Sequence, residues 1–312
     1  MGQLLISGPG VGEQLAAALS QDAVKLPVGR AKYGFLLTEA GTIIDDTILK
    51  RLGEDEFFLV VNAATAAIDA KTLRARLSDD IEIVVLASWG KLDVQGPEAL
   101  DVLQPITEID LTTMGYFGVC RTQVLGHDCI LSRTGYTGEL GWEIYMSQAT
   151  LPEVCRALLE SPNVKPAGLG ARDSLRLEMG YALYGHELSQ DVTPVDAAME
   201  FFFDAERDFV GATALRTQIS DGTNGKLVMI DSAQRRRFNT GDTILSDGEE
   251  IGIVTSGVFG PSLGRVIGMG FVRPEFTQVG TELTIATARA EITATVGQMP
   301  LYKDGTCRKK LS

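Results

Sequence analysis

Apolar and polar positions change period several times along this chain, and each change marks an element. Residues 3–7 read as a short strand, after which Val11, Leu15, Ala18 and Leu19 recur at helical spacing. Strand patterns return at 33–37, 42–51 and 56–62. Residues 63–77 read as a second helix with Ile68, Leu73 and Leu77 toward the core, ended by Ser78-Asp79-Asp80. Residues 1–80 thus form one α+β unit. The apolar run 81–87 opens a second α+β unit, 81–220, which contains a helix at 151–159. Leu151, Val154, Cys155, Leu158 and Leu159 make one stripe of that helix, and Pro152 suits its first turn. Beyond Asn224 come short strands, among them 252–255, 266–272 and 283–287, punctuated by Asp247-Gly248, Gly260-Pro261 and Pro274. That spacing predicts a small antiparallel β-barrel over 221–312. The fold class is α+β.

Length agrees with this division, because 312 residues exceed what one core usually organises. Hydrophobic residues at 45% and charged residues at 22% are ordinary globular usage. No basic, apolar leader opens the chain and no run of about 18 apolar residues follows, so the expected location is cytoplasmic, with no membrane partner. A myristoylation signal at Gly2 needs Ser or Thr where Ile6 stands. Cys120, Cys129, Cys155 and Cys307 are widely spaced and histidines number 2, which suggests reduced thiols and no metal site. A net charge of −13 argues against nucleic acid. The charge is uneven: residues 1–220 hold 17 Lys and Arg against 31 Asp and Glu, and residues 221–312 hold 11 against 10.

Gly8-Pro9-Gly10-Val11-Gly12 superficially suggests a dinucleotide-binding turn, but one residue separates its last glycines where the fingerprint needs two. A plain strand-to-helix turn is the better reading. In Gly41-Thr42-Ile43-Ile44-Asp45-Asp46-Thr47-Ile48, alternation puts Asp46 on one face with Ile44 and Ile48. A carboxylate there is expensive to desolvate without a partner. It is either a turn-proximal aspartate accepting backbone hydrogen bonds or a general base whose pKa burial raises. In Ser132-Arg133-Thr134-Gly135-Tyr136-Thr137-Gly138-Glu139-Leu140-Gly141-Trp142-Glu143-Ile144, a glycine-rich loop around Tyr136 leads into a strand. Such a loop can lay backbone against a flat ligand, and Glu143 can accept paired hydrogen bonds from an amidine-like edge such as that of a pterin. The alternative is a hairpin with a glutamate on its outer face. In Gly168-Leu169-Gly170-Ala171-Arg172-Asp173-Ser174-Leu175-Arg176, Arg172 sits in the first turn of a helix, where the dipole disfavours a cation. It suits an anionic ligand group, or else a salt bridge to Asp173 or Glu178. Arg235, Arg236 and Arg237 read as a solvated loop.

Ile43-Ile44-Asp45-Asp46, Val60-Val61-Asn62-Ala63-Ala64, Ser132 to Glu143, Gly168 to Glu178, Leu183-Tyr184-Gly185 and Thr193-Pro194 follow one another in this order. With Thr255-Ser256-Gly257, Pro261-Ser262-Leu263 and Met299-Pro300-Leu301-Tyr302, they resemble the glycine cleavage T-protein (aminomethyltransferase) family across nearly the whole chain. The resemblance implies a three-domain fold holding tetrahydrofolate in a central cavity. It implies Asp46 beside the reactive folate nitrogens, Tyr33 and Asn62 lining the pterin pocket, Glu143 on the pterin edge, Tyr136 in the glycine-rich loop and Arg172 at the folate side chain. Family members carry a leading segment ahead of the strand that opens this chain. Thr65 and Phe201 stand where asparagine and tryptophan are common in the family.

The implied reaction is transfer of a methylene group to tetrahydrofolate, with the donor carried on the lipoyl arm of an H protein. The acidic charge weighs against an acidic partner of that kind. A tetrahydrofolate-dependent demethylase of a small methylated compound is the runner-up. A non-catalytic folate-binding protein of iron-sulfur cluster maintenance comes third, because Leu183-Tyr184-Gly185-His186-Glu187 lacks the cysteine such relatives carry.

Overall fold

The computed structural model describes residues 1–311. Its first sheet contains β1 (Gly2–Ser7), β2 (Ala31–Leu37), β3 (Ile43–Gly53), β4 (Glu56–Val61) and β5 (Glu82–Val85), ordered β2-β3-β4-β1-β5 with antiparallel ladders. Strand periodicity explains how both faces are covered. In β4, Phe57 and Leu59 pack with Leu15 of α1 (Val11–Ala18) and Leu73 of α2 (Ala66–Arg76). Phe58 and Val60 face the other way, against Val119, Ile130 and Tyr145. Those three belong to the second sheet, made of β6 (Trp89–Gln95), β7 (Val119–Val124), β8 (His127–Ser132) and β9 (Gly141–Ser147) in the order β6-β9-β8-β7. On its far face Trp142, Ile144 and Met146 of β9 pack with Leu103 of α3 (Ala99–Leu103) and with Val154 and Leu158 of α4 (Leu151–Leu159). Helices therefore cover two sheets whose inner faces meet, and each fully buried large apolar side chain contributes about 1.5–3 kcal/mol.

The expected C-terminal barrel is present and closed: β10 (Lys226–Ser232), β11 (Thr243–Ser246), β12 (Glu249–Gly260), β13 (Arg265–Val272), β14 (Glu282–Ala286) and β15 (Glu291–Gly297), ordered β10-β13-β12-β11-β14-β15. Leu177 of α5 (Leu169–Glu178) packs on the barrel's Leu227, Met229, Ile267 and Met269. Arg176, 1% exposed, fastens this contact. It donates to Glu187 at 2.9 Å and to the Ser256 hydroxyl at 2.8 Å, while Glu187 accepts from the hydroxyls of Thr255 and Ser256 at 2.6 Å. Leu215 of α6 (Ala212–Asp221) joins Phe35, Leu37 and Ile43 in a cluster at the β2–β3 end of the first sheet.

Several local expectations change. The run 81–87 supplies β5, and its ladder partner is β1 of the first sheet. Ile68 is 48% exposed and Leu159 44%. Ile68 lies five residues before Leu73, about 140° round a helix, so the two cannot share a face. Asp69, four residues before Leu73, takes the inward position and is buried. In β3 the register passes from Leu36↔Asp45 to Leu37↔Ile43, so Ile44 is the extra residue of a β-bulge. Ile44 consequently joins the helix side with Leu36 and Leu49, and the face of Asp46 is shared by Ile48 and Lys50.

Candidate functional site

The face of β3 that bears Asp46, Ile48 and Lys50 carries polar groups at both ends of an apolar middle. At the first end, the Tyr33 hydroxyl on neighbouring β2 donates to Asp46 Oδ2 at 3.0 Å. Asn62, just past the end of β4, donates from Nδ2 to Asp46 Oδ1 and to Asp45 Oδ1, each at 2.8 Å. Its backbone N–H donates to Asp45 Oδ2 at 2.9 Å. Burial, together with the charge of Asp45, pushes the Asp46 carboxyl up to about 7, against the hydrogen bonds from Tyr33 and Asn62. Burial and the nearby Asp46 carry the Tyr33 phenol well above its usual range.

The other end is built from ions. Lys50, fully buried, donates to Tyr145 Oη at 3.1 Å, Thr134 Oγ1 at 3.2 Å and Glu143 Oε2 at 3.4 Å. Lys91 of β6 reaches Glu143 Oε1 at 2.6 Å and Asp93 at 3.2 Å. Asp93 stands opposite Glu143 in the β6–β9 ladder and pairs at 3.6 Å with Arg172, whose guanidinium lies 4.7 Å from the centre of the Tyr136 ring. The Tyr136 hydroxyl donates to the carbonyls of Tyr181 and Ala182. Burial pushes the Glu143 carboxyl up, but the Lys91 and Lys50 ammoniums outweigh it and hold the group well below the usual carboxylate range. Burial lowers the Lys50 ammonium to about 8, with Glu143 opposing. Asp46 and Lys50 are four residues apart on one strand face, about 13 Å. Burial raises the Tyr136 phenol, Arg176 lowers it, and the charge of Asp46 raises it.

The residues singled out in the sequence, Tyr33, Asp46, Asn62, Tyr136, Glu143 and Arg172, therefore gather around one region. Three details differ from expectation. Glu143 is 4% exposed, which removes the outer-face hairpin reading, and its carboxylate already accepts from Lys50, Lys91, Thr134 and Tyr145. Arg172 pairs with Asp93 and not with Asp173 or Glu178. The loop glycines serve the protein itself: a Cβ at Gly135 or Gly141 would strike Gln95, and one at Gly138 would strike Met179.

Lys50, Lys91, Asp93, Tyr145 and Asp69 were not legible as site residues. Lys50 continues the alternation that holds Asp46 and Ile48, and Lys91 and Asp93 alternate in Trp89-Gly90-Lys91-Leu92-Asp93, so period two was the available signal. Arg235, Arg236 and Arg237 are exposed as expected; the last two line, with Arg289, an open cleft of about 490 Å³ whose lining shares no residue with this group. Among the described residues no cluster could hold a metal ion, and no helix is long and apolar enough to cross a membrane.

Comparison with known proteins gives a consistent result. Residues 1–207 match the family described as GCVT N-terminal domain, and residues 226–303 match the glycine cleavage T-protein C-terminal barrel domain. The aminomethyltransferase of Listeria monocytogenes serotype 4a (strain HCC23) is 39% identical over 97% of this chain and 84% of its own length. That of Saccharopolyspora erythraea is 39% identical over 97% of this chain and 85% of its own. The crystal structure of glycine cleavage system aminomethyltransferase T from Bartonella henselae superposes with a TM-score of 0.92 at 32% identity, covering 98% of this chain and 84% of that one. The three-domain fold implied by the resemblance has its counterpart there, and the chain belongs to the glycine cleavage T-protein family.

Proposed function

We propose that this chain is a tetrahydrofolate-dependent one-carbon transferase, passing a methylene group from an aminomethyl donor to two folate nitrogens, whose protons leave with the donor's amine as ammonia and with its carrier sulfur as a thiol. The observation that carries the reading is Asp46: a half-buried carboxyl raised to about 7 and aimed by Tyr33 and Asn62. Such a group is matched to moving a proton at an amine near neutral pH. Tetrahydrofolate, when bound, supplies the amine nitrogens that take up the carbon. Tyr33, Asn62 and Tyr136 would hold its ring system, and Arg172 its carboxylate side chain. Glu143 would accept from the pterin edge once Lys91 yields Oε1, a movement within reach of a lysine whose side chain is 11% exposed. Asp46 Oδ holds and releases the proton, and the apolar middle of the face excludes water.

A lipoylated H protein is the proposed donor. The net charge of −13 supports a second reading, demethylation of a small methylated amine, because a small donor escapes like-charge repulsion between two acidic surfaces. Calorimetric titration with tetrahydrofolate, followed by single-turnover transfer from an aminomethyl-lipoyl carrier, tests both. Native protein and Asp46→Asn should both bind saturably, and the variant should transfer about 10²–10⁴-fold more slowly. Folded protein that shows no saturable binding would overturn the assignment. Turnover of a small N-methyl amine in place of the carrier would move it to the demethylase.

A further inference from the structure

Beside Asp45 and Asp46 lies a third carboxyl, Asp69 of α2, with no solvent exposure and with neither oxygen receiving a formed hydrogen bond. Its polar neighbours are the carboxyl of Asp45 and the hydroxyl of Thr65, whose own proton goes to the Asn62 carbonyl. Asp45 is equally buried, and both its oxygens take donors from Asn62. Among the described residues neither Asp45 nor Asp69 forms an ion pair. Two ionised carboxyls facing each other away from water, without a cation, are strongly disfavoured, and such pairs share one proton.

We propose that Asp69 is a positioning residue for Asp46: its carboxyl keeps a proton that it donates to Asp45, and Asp45, through Asn62, holds Asp46 in one orientation. The role rests on the transfer reading, since Asp46 is the group it serves. One Asn62 amide nitrogen, with its two hydrogens, spans Asp45 and Asp46, so a displacement of Asp45 reaches Asp46 directly. The groups facing this cluster are Asp45 and Asp46 from β3, Tyr33 from β2, Asn62 after β4, Thr65 before α2, and Tyr184, which feels all three carboxyls. Burial, then the charge of Asp45, raises Asp69 to about 8. Above that pH the shared proton is lost, the pair repels, and the aim of Asp46 is disturbed.

Asp69→Asn and Asp69→Ala separate the possibilities. Asparagine keeps the shape and offers an N–H to Asp45 but cannot ionise; alanine keeps neither. In protein carrying ¹³C-carboxyl aspartate, one resonance should titrate near pH 8 in the native chain and vanish in Asp69→Asn. The Asp46 resonance should keep its midpoint in Asp69→Asn and move in Asp69→Ala. In the transfer assay native activity should decline above about pH 8, Asp69→Asn should remain active there, and Asp69→Ala should lose about ten- to hundredfold in kcat with little change in KM for tetrahydrofolate. The proposal is overturned if no resonance other than that of Asp46 titrates above the usual carboxylate range and is lost in Asp69→Asn, or if the Asp46 midpoint is the same in all three proteins. These resonances need no substrate. A chain that shows them yet transfers nothing would sink the transferase reading and leave the proton-sharing pair standing.

Discussion

Asp46, half-buried, and Glu143, buried, are carboxyls of one region, yet they meet different company. Asp46 has a phenol, an amide and another carboxylate around it, and burial lifts it to about 7. Glu143 has two ammoniums within 3.4 Å, and they hold it well below the ordinary range despite burial. The same desolvation acts at both ends, so the sign of the shift is set by whether a cation is present. The Asp46 end can exchange a proton at working pH, whereas the Glu143 end is a fixed arrangement of charge.

The largest effect should come from removing the anion that serves two cations. Glu143→Leu leaves Lys50 fully buried without a counter-charge, and should cost about 3–5 kcal/mol of stability in urea unfolding at pH 7. A loss below about 1 kcal/mol would mean that Thr134 and Tyr145 alone satisfy Lys50, and that the ionic end is not held by charge. The next effect is a slope. A carboxyl raised in the folded state binds its proton more tightly there than in the unfolded chain, so stability falls as pH rises from the unfolded pKa toward the folded one. Between about pH 4 and 7, Asp46 should contribute a decline of about 1.4 kcal/mol per pH unit, and Asp46→Asn should remove it. Glu143 works the other way, stabilising above its unfolded pKa and losing that stability only as pH falls through its depressed folded value. Parallel stability profiles for native and Asp46→Asn proteins would mean that Asp46 binds its proton no more tightly in the folded chain than in the unfolded one.

What the sequence revealed of this pair is uneven, and the reasons are local. The closed barrel and the strands around Asp46 were legible because short alternating runs and turn residues carry them. Parity sets Glu143 on the face opposite Trp142 and Ile144, which left an outer-face hairpin open; that face is buried because the first sheet packs on it. Its cations were not legible, because Lys50 and Lys91 come from different sheets and only the packing of β3 against β9 joins them. The bulge at Ile44 was hidden as well, since a one-residue insertion leaves no mark on composition and reverses the faces on one side of it. Asp69 was hidden by a misassigned stripe: Leu73 and Leu77 point back by fours to Asp69, and a carboxylate on that line is a signal in its own right.

The smallest effect tests whether Lys50 is a necessary counter-ion or a tolerated one. In Lys50→Met, Glu143 keeps Lys91, Thr134 and Tyr145, and a fully buried ammonium is replaced by an apolar side chain of similar length. The change in stability at pH 7 should stay within about 1.5 kcal/mol in either direction, because losing one attraction is offset by losing one desolvation penalty. The pH profile should change more clearly than the mean. Burial depresses Lys50 from 10.5 to about 8, so between those values the unfolded chain binds the proton and the folded one does not, and native stability rises with pH there. Lys50→Met should lose that alkaline rise. If it instead destabilised as much as Glu143→Leu, the two lysines would be acting as one unit around the carboxylate. Lys91 could then not be released to free Glu143 Oε1 for a pterin edge without weakening the whole ionic end.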